Sequence, residues 1–380
     1  MRLVHTSDWH LGRMLAGERL IEDQSYVLQQ VLDAARRFRP DAVVVSGDIY
    51  DRAVPPPEAV SLLDHVLSEL VLSCQVPVVL IPGNHDSRER LSFASRLLER
   101  GRLHIVNPHE PFKVVPFNDE AGLVEVVAVP YLDPAEAREL SGRADLVDHD
   151  AALRALLEVA RRALRASRTV LLTHAFVSGG EPSESERPLA VGGTGEVGAD
   201  CFAGFSYVAL GHLHRAQCAG SSALQYSGSI LKYSFQEATH EKSVNLVELD
   251  GRGRSHIERL PLWPRREVRC LEGRFDDLLA AAPPGVNPED LLQITLLDER
   301  PVLDAAQRLR ERYPNLLGLS QPALTASLRD AVRPQAGRFM TDEELFADFF
   351  RQVTGEDLSA EERAELRAAL EESRRKEPET

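Results

Sequence analysis

The strongest constraint in this chain is a set of five short apolar runs, each followed almost at once by residues that bind metal ions or move protons. Ala42-Val43-Val44-Val45 leads into Gly47-Asp48-Ile49-Tyr50-Asp51, and Leu3-Val4-His5-Thr6 leads into Asp8 and His10. Val78-Val79-Leu80-Ile81 precedes Asn84 and His85, and Thr169-Val170-Leu171-Leu172 precedes His174. Tyr207-Val208-Ala209-Leu210 precedes Gly211-His212-Leu213-His214. Runs this short and this apolar read as strands buried on both faces. A carboxylate at the end of such a strand is costly to bury without a cation or hydrogen-bond donors around it. Asp48 therefore requires partners, and the other runs supply them.

Helical stretches separate the first runs. Helices are expected from about Glu22 to Phe38, after Pro55-Pro56-Pro57 to about Leu72, and from about Glu89 to Arg100. A strand–helix–strand rhythm implies an α/β fold with a largely parallel, helix-covered sheet and ligands gathered at the carboxyl ends of its strands. Further strands follow between about His104 and Pro130, then a helical stretch from about Pro134 to Arg168. The Gly-, Ser- and Glu-rich stretch 178–198 lies between two ligand motifs, which favours a place beside the site. Strands near 223–226 and 243–249 complete a first domain, 1–260.

Pro261 and Pro264 then mark a boundary. Residues 261–325 read as a small α+β module and 326–340 as a linker. In 341–380, Thr341-Asp342-Glu343-Glu344 is a capping box ahead of Leu345, Phe346, Phe349, Phe350 and Val353 on one helical face. Such a short helix pair cannot fold alone; it either packs back on the body or docks on another protein.

Charge limits the partners. At −15 over 380 residues, nothing at the whole-chain level attracts nucleic acid. A DNA substrate would need local arginines, metal ions or a basic partner. Cys74, Cys201, Cys218 and Cys270 form no C-x-x-C pair, which suits reduced thiols in the cytoplasm better than a disulfide framework. The expected first strand starts too early for a signal peptide, and no apolar run approaches the ~20 residues of a membrane span.

Two divalent ions about 3.5–4 Å apart can share one carboxylate and stabilise both the attacking and leaving oxygens of phosphate-ester hydrolysis. Asp48 suits the shared position. Asp8, His10 and His214 are candidates for one ion, and Asn84, His174 and His212 for the other. A mixed carboxylate, imidazole and amide set favours manganese or a similar borderline ion over calcium. His85, one residue past Asn84, should point to the substrate as a general acid or a charge stabiliser. Asp51 is a candidate to orient His85, and Arg52 either holds a non-bridging phosphate oxygen or forms a surface ion pair. The other histidines receive no assignment.

Asp8-x-His10, Gly47-Asp48, Gly83-Asn84-His85-Asp86, His174 and Gly211-His212-Leu213-His214 resemble the motifs of calcineurin-like metallophosphoesterases. The fuller strings Thr6–Gly12, Ile81–Asp86 and Tyr226-Ser227-Gly228-Ser229-Ile230 resemble the SbcD family of nuclease subunits within that group. The resemblance implies a layered βα phosphoesterase domain, a small capping domain that contacts DNA, and a C-terminal helical segment that binds an SbcC-type ATPase. It further implies a homodimeric, manganese-dependent enzyme of DNA repair, recombination and replication. By the same resemblance it acts as a 3′–5′ exonuclease on double-stranded ends and an endonuclease on single-stranded DNA and hairpins, gated by the ATPase.

One position departs from that pattern. Archaeal relatives place histidine three residues after the shared aspartate, where this chain has Asp51 followed by Arg52. Gly-Asp-x-x-Asp-Arg also occurs in protein Ser/Thr phosphatases, so a phosphatase or a cyclic-nucleotide phosphodiesterase is the alternative. A non-enzymatic scaffold that binds DNA ends fits the complete ligand set least.

Overall fold

The apolar runs form strands, but they are divided between two six-stranded sheets rather than lying in one. The structure, a computed structural model, describes residues 1–107, 109–186, 189, 195–323, 341–354 and 357–376. In the first sheet Arg2–Thr6, Ala42–Ser46, Val78–Ile81 and Leu103–Ile105 are parallel neighbours. A hairpin of Ser243–Leu249 and Ser255–Pro261 closes the Arg2–Thr6 side. In the second sheet Gly122–Val129, Arg168–His174, Tyr207–Gly211 and Ser221–Tyr226 are parallel, with Lys113–Asp119 and Gln217–Ala219 antiparallel at the edges.

The split follows from which cover each face received. Leu3, Ala42, Val44, Val79 and Ile81 of the first sheet pack in one core with Val124, Val126, Ala128, Val170, Leu172, Tyr207 and Ala209 of the second. The outer face of the second sheet, through Val127, Val129, Leu171, Val208 and Leu210, packs in another core with Leu153, Leu157 and Ala160 of helix His149–Ala163. Helix Ile21–Phe38 buries Val27, Leu28, Val31 and Leu32. Burying each such side chain is worth roughly 1.5–3 kcal/mol. A strand apolar on both faces does not say whether a helix or a second sheet will cover it.

Polar side chains also bridge the two sheets. His5 Nδ1 lies 2.8 Å from the Tyr207 hydroxyl and its Nε2 lies 3.0 Å from Ser46 Oγ. Burial lowers the His5 pKa to about 3, so the imidazole is neutral. His5 is thus a buried link of the scaffold.

Local departures from the expected helices have local causes. The stretch 89–100 holds two single turns, Arg88–Leu91 and Ser95–Leu98, separated at Ala94, whose φ is 57°. Ser92 Oγ donates to the Arg88 carbonyl at 2.6 Å, a side-chain bond that competes with helix propagation. Helix Pro57–Ser68 widens into a π turn, Glu69–Ser73, where the Cys74 amide donates to the Glu69 carbonyl.

The first compact unit contains Met1–Cys270 and Glu289–Leu292, extending past residue 260. Gln30 exchanges hydrogen bonds with the Trp263 backbone at 2.7 and 3.0 Å, and Arg266 pairs with Asp23 at 2.6 Å. The second unit, Leu271–Pro288 with Gln293–Thr380, includes helices Phe275–Ala280 and Ala305–Arg310. There the Tyr313 hydroxyl donates to the Leu278 carbonyl at 2.8 Å.

The C-terminal helices are Asp342–Thr354 and Ala360–Lys376. Both start in reciprocal capping boxes, Thr341 with Glu344 and Ser359 with Glu362. Leu345 is 51% exposed and Phe346 42%. The side chains of Phe349 and Val353 and the expected linker 326–340 lie outside the described residues. No helix among the described residues is long and apolar enough to cross a membrane.

Candidate metal centre

The carboxyl ends of the central strands of the two facing sheets bring the motifs together. Asp8, His10, Asp48 and Asn84 follow strands of the first sheet; His174 ends a strand of the second, and His212 and His214 follow another. Sharp turns aim these side chains. Asp8, His10, Asp48 and His212 have φ of 52°, 44°, 49° and 109°, a left-handed backbone that costs on the order of 1–3 kcal/mol per residue. Surrounding hydrogen bonds hold these turns: the Asp8 amide donates to the Gly47 carbonyl at 3.0 Å and the His10 amide to the Asp48 carbonyl at 2.9 Å. The His212 amide donates to Asp8 Oδ1 at 3.0 Å.

Glycine in the Gly-Asn-His-Asp motif has a steric cause. A Cβ on Gly83 would overlap Asp48 Oδ1 and the Asp48 amide nitrogen. Gly83→Ala is therefore expected to lower the melting temperature and weaken divalent-metal binding at least tenfold. Unchanged calorimetric binding in this variant would remove the close packing of Asp48 from the account.

Asp8, His10 and His214 have one potential ligand atom each within 4.8 Å of one another, and so do Asp8, Asp48 and His174. Asp48 Oδ2 lies 3.6 Å from both His10 Nε2 and His174 Nε2, so it faces both groups. His174 Nε2 is 2.8 Å from Asn84 Oδ1, and its Nδ1 donates to the Ser46 carbonyl at 2.9 Å, which leaves Nε2 as the lone-pair nitrogen. Of the expected ligands, His212 is set apart: it is buried beside His174, with ring centroids 5.4 Å apart, and its amide engages Asp8.

This donor set suits divalent cations. His10 Nε2 and His214 Nε2 face each other at 3.0 Å, although two imidazole nitrogens can share only one proton. His10 Nδ1 is buried with no hydrogen-bond partner. Burial and then the Asp48 charge hold Asp8 well above the usual carboxylate range. Burial, followed by the charge of His214, holds His10 well below the ordinary imidazole range; burial and then His174 do the same to His212. Burial also lowers His174. Neutral imidazoles beside crowded carboxylates are ligands in the required state, and a cation reverses the cost of ionising the acids.

His85 lies beside this cluster, with Nε2 4.0 Å from Asp48 Oδ2 and its ring edge-on to His10 at 4.7 Å. Asp51 contacts His85, but through its main chain and not through the carboxylate of an Asp–His dyad: His85 Nδ1 donates to the Asp51 carbonyl oxygen at 2.8 Å. The carboxylate instead sits 3.7 Å from His10 Nδ1 and 3.2 Å from Arg13. The turn after the shared strand puts the Asp51 main chain, not its side chain, under the imidazole. Arg52 is 61% exposed and lines an open cleft with Arg13, Asp51, His85, Ser185 and Glu186.

Several residues here had no role in the sequence reading. Asp86 accepts the amides of Ile49, Tyr50 and Gly83 at 2.9–3.0 Å, clasping the loops that carry Asp48 and His85. Burial and then Asp48 push its carboxyl up to about 7 against those three bonds. Arg13 donates to the Ser185 carbonyl at 2.9 Å, and the His214 amide donates to Glu186 at 2.7 Å. The described part of the 178–198 stretch thus does lie beside the site. Glu237 and Lys242 form a buried ion pair behind His214. Their spacing has no motif signature; only burial of a Lys–Glu pair in the fold marks them.

Comparison with known proteins agrees with this geometry. Residues 1–216 match the family model described as calcineurin-like phosphoesterase, and residues 264–354 match one described as type 5 capsule protein repressor C-terminal domain. A Staphylococcus epidermidis protein named as a subunit of the nuclease SbcCD is 31% identical over 94% of this chain and 95% of its own length. A Staphylococcus saprophyticus protein of the same name is 32% identical over the same shares. On the match over its N-terminal 216 residues and the convergence of the motif residues at one centre, the chain belongs to the calcineurin-like phosphoesterase family.

Proposed function

We propose that this protein is the metal-dependent nuclease subunit of an SbcCD-type DNA repair complex and hydrolyses phosphodiesters with two manganese ions. The observation that carries the reading is the shared Asp48 carboxylate between two ligand groups, with His85 at the cleft beside them. The full-length likeness to relatives named as SbcCD nuclease subunits supports the substrate class. Asp8, His10, His214 and Asp48 would hold one ion, and Asp48, Asn84, His174 and His212 the other. When bound, such ions supply Lewis-acid stabilisation of the phosphate oxygens and activation of an attacking water.

The chain's own groups do the rest. His85 Nδ1–H donates a hydrogen bond to the Asp51 carbonyl, so Nε2 is the nitrogen that exchanges a proton with the leaving alkoxide or stabilises its charge. Arg52 at the cleft rim holds a non-bridging phosphate oxygen, with Arg13 beside it. Residues 261–325 contact DNA as a cap, and the protein works in the cytoplasm. An end-labelled DNA hairpin incubated with manganese, magnesium or EDTA tests the reading: cleavage is expected with manganese and absent with EDTA. Turnover of a phosphomonoester or cyclic nucleotide with intact DNA would instead support the alternative phosphatase or phosphodiesterase.

The helical segment 341–380 docks on the SbcC-type ATPase. Leu345 and Phe346 are large, apolar and about half exposed on a helix of some three turns, the stripe a partner groove would cover. Deleting Thr341–Thr380 is expected to leave hydrolysis of a small phosphodiester nearly intact and to abolish co-purification with the ATPase and ATP-dependent cutting of duplex DNA. If the truncated protein still co-purifies, the stripe is an internal clasp.

The chain also works as a homodimer. Leu62, Val66 and Leu70, on helix Pro57–Ser68 and the π turn after it, are buried in the core. Phe93, between the two short turns, and Leu97, on the second, remain 81% and 72% exposed and are the surface for a second copy. Sedimentation at micromolar concentration is expected to give a dimer, and Phe93→Ala with Leu97→Ala a monomer.

A further inference from the structure

Behind His214 a chain of hydrogen bonds leads away from the metal centre. His214 Nδ1 lies 2.6 Å from Ser185 Oγ. Ser185 Oγ donates to Glu237 Oε1 in a short hydrogen bond, while its neighbour Ser183 gives its own proton to Glu186. A hydroxyl has one proton, so Ser185 must accept from the imidazole, and His214 therefore carries its proton on Nδ1. The nitrogen facing His10 is then the one with a lone pair.

The far end of this chain is fully compensated. Glu237 is completely buried and Lys242 nearly so. Burial alone would raise the Glu237 carboxyl, but the Lys242 ammonium holds it well below the usual range. Each of the three ammonium protons has an acceptor: Glu237 Oε2 at 2.5 Å, the His214 carbonyl at 2.8 Å and Ser229 Oγ at 2.8 Å. Lys242 thus grips the His214 backbone while its partner fixes the His214 side chain.

We propose that Ser185 and Glu237 are positioning residues for His214: they set its tautomer and ring orientation for an ion, and they tie the 181–186 loop to that ion. The loop has a second tether through Arg13, which binds the Ser185 carbonyl and the Asp51 carboxylate together. Glu186 holds the His214 amide, so the same loop contacts both the backbone and the ring of one ligand. Occupancy of the His214 ion and order of this loop are therefore coupled. The inference deepens the metal-centre reading above and rests on it.

Manganese titration of the metal-free full-length protein by calorimetry tests both separately. Wild type is expected to bind two ions; a wild type that binds none overturns the metal-centre reading itself. Ser185→Ala keeps the Glu237–Lys242 pair and is expected to weaken one ion about 10–100-fold, the usual loss when an outer partner of a histidine ligand is removed. Its melting temperature in EDTA should match wild type. Limited proteolysis should cut Ser185→Ala within 178–186 at manganese concentrations that protect wild type. Glu237→Gln should show the same one-ion loss, whereas Glu237→Asp restores part of it. Two wild-type affinities in Ser185→Ala would overturn the proposal, as would a loss of affinity in Ser185→Ala that appears only together with a lowered metal-free melting temperature.

Discussion

Asp48→Ala is expected to release both metal ions together and to reduce phosphodiester hydrolysis to background. Asp48 Oδ2 is 3.6 Å from a ring nitrogen of His10 on one side and of His174 on the other. Its Oδ1 accepts the His85 amide at 3.0 Å, which fixes the carboxylate plane. Losing such a ligand removes charge from both sites, whereas losing Asn84 or His214 removes a neutral donor from one group. The metal-free fold should survive, because the Asp48 charge lies against the buried carboxyls of Asp8 and Asp86 and raises both. Elemental analysis of the purified variant, beside its melting temperature in EDTA, separates lost ligation from lost folding. Retention of one ion at wild-type affinity would show that the carboxylate serves one site alone.

His85→Ala should give the opposite division: two ions retained and turnover reduced by ~10²–10⁴-fold, the usual worth of a positioned proton donor or acceptor. The imidazole is anchored through Nδ1 to a main-chain carbonyl and presents Nε2 beside the cleft. Its ligand atoms also come within 4.8 Å of those of His10 and Asp51, so an ion bound there would make His85 a ligand instead. Metal stoichiometry decides between the two roles. Fewer than two ions in the His85 variant would contradict the proton-transfer role, and a lost limb in the pH–rate profile with unchanged KM would support it.

The candidate ligands were legible because each sits directly after a run too apolar to be anything but a buried strand. A strand that ends at the sheet edge has one carboxyl end, and residues placed just past it have few places to go. The Thr341 capping box was legible because its partners lie three residues apart in the chain. Local periodicity was less reliable where side chains compete with the backbone, as Ser92 does at Arg88.

Roles set by long-range contacts stayed hidden. Asp51 and His85 are separated by a strand and a helix, and nothing in their spacing says that the Asp51 carbonyl, not its carboxylate, holds the ring. Ser185 lies in one loop, while Glu237 in the 3-10 turn Phe235–Thr239 and Lys242 five residues on lie in another stretch; the two stretches meet only behind His214. His5 reads as one more histidine near a ligand motif until Tyr207 and Ser46 close around it. Sequence periodicity and motif order determined which strands exist, which residues follow them and which family the chain resembles. Tertiary structure alone decided that two sheets share those strands, which atom of Asp51 faces His85, and which buried pair stands behind His214. The physical reason is range: strand burial and capping are decided by neighbours a few residues away, whereas the orientation of a donor is decided by whichever distant group the packed core brings within about 3 Å of it.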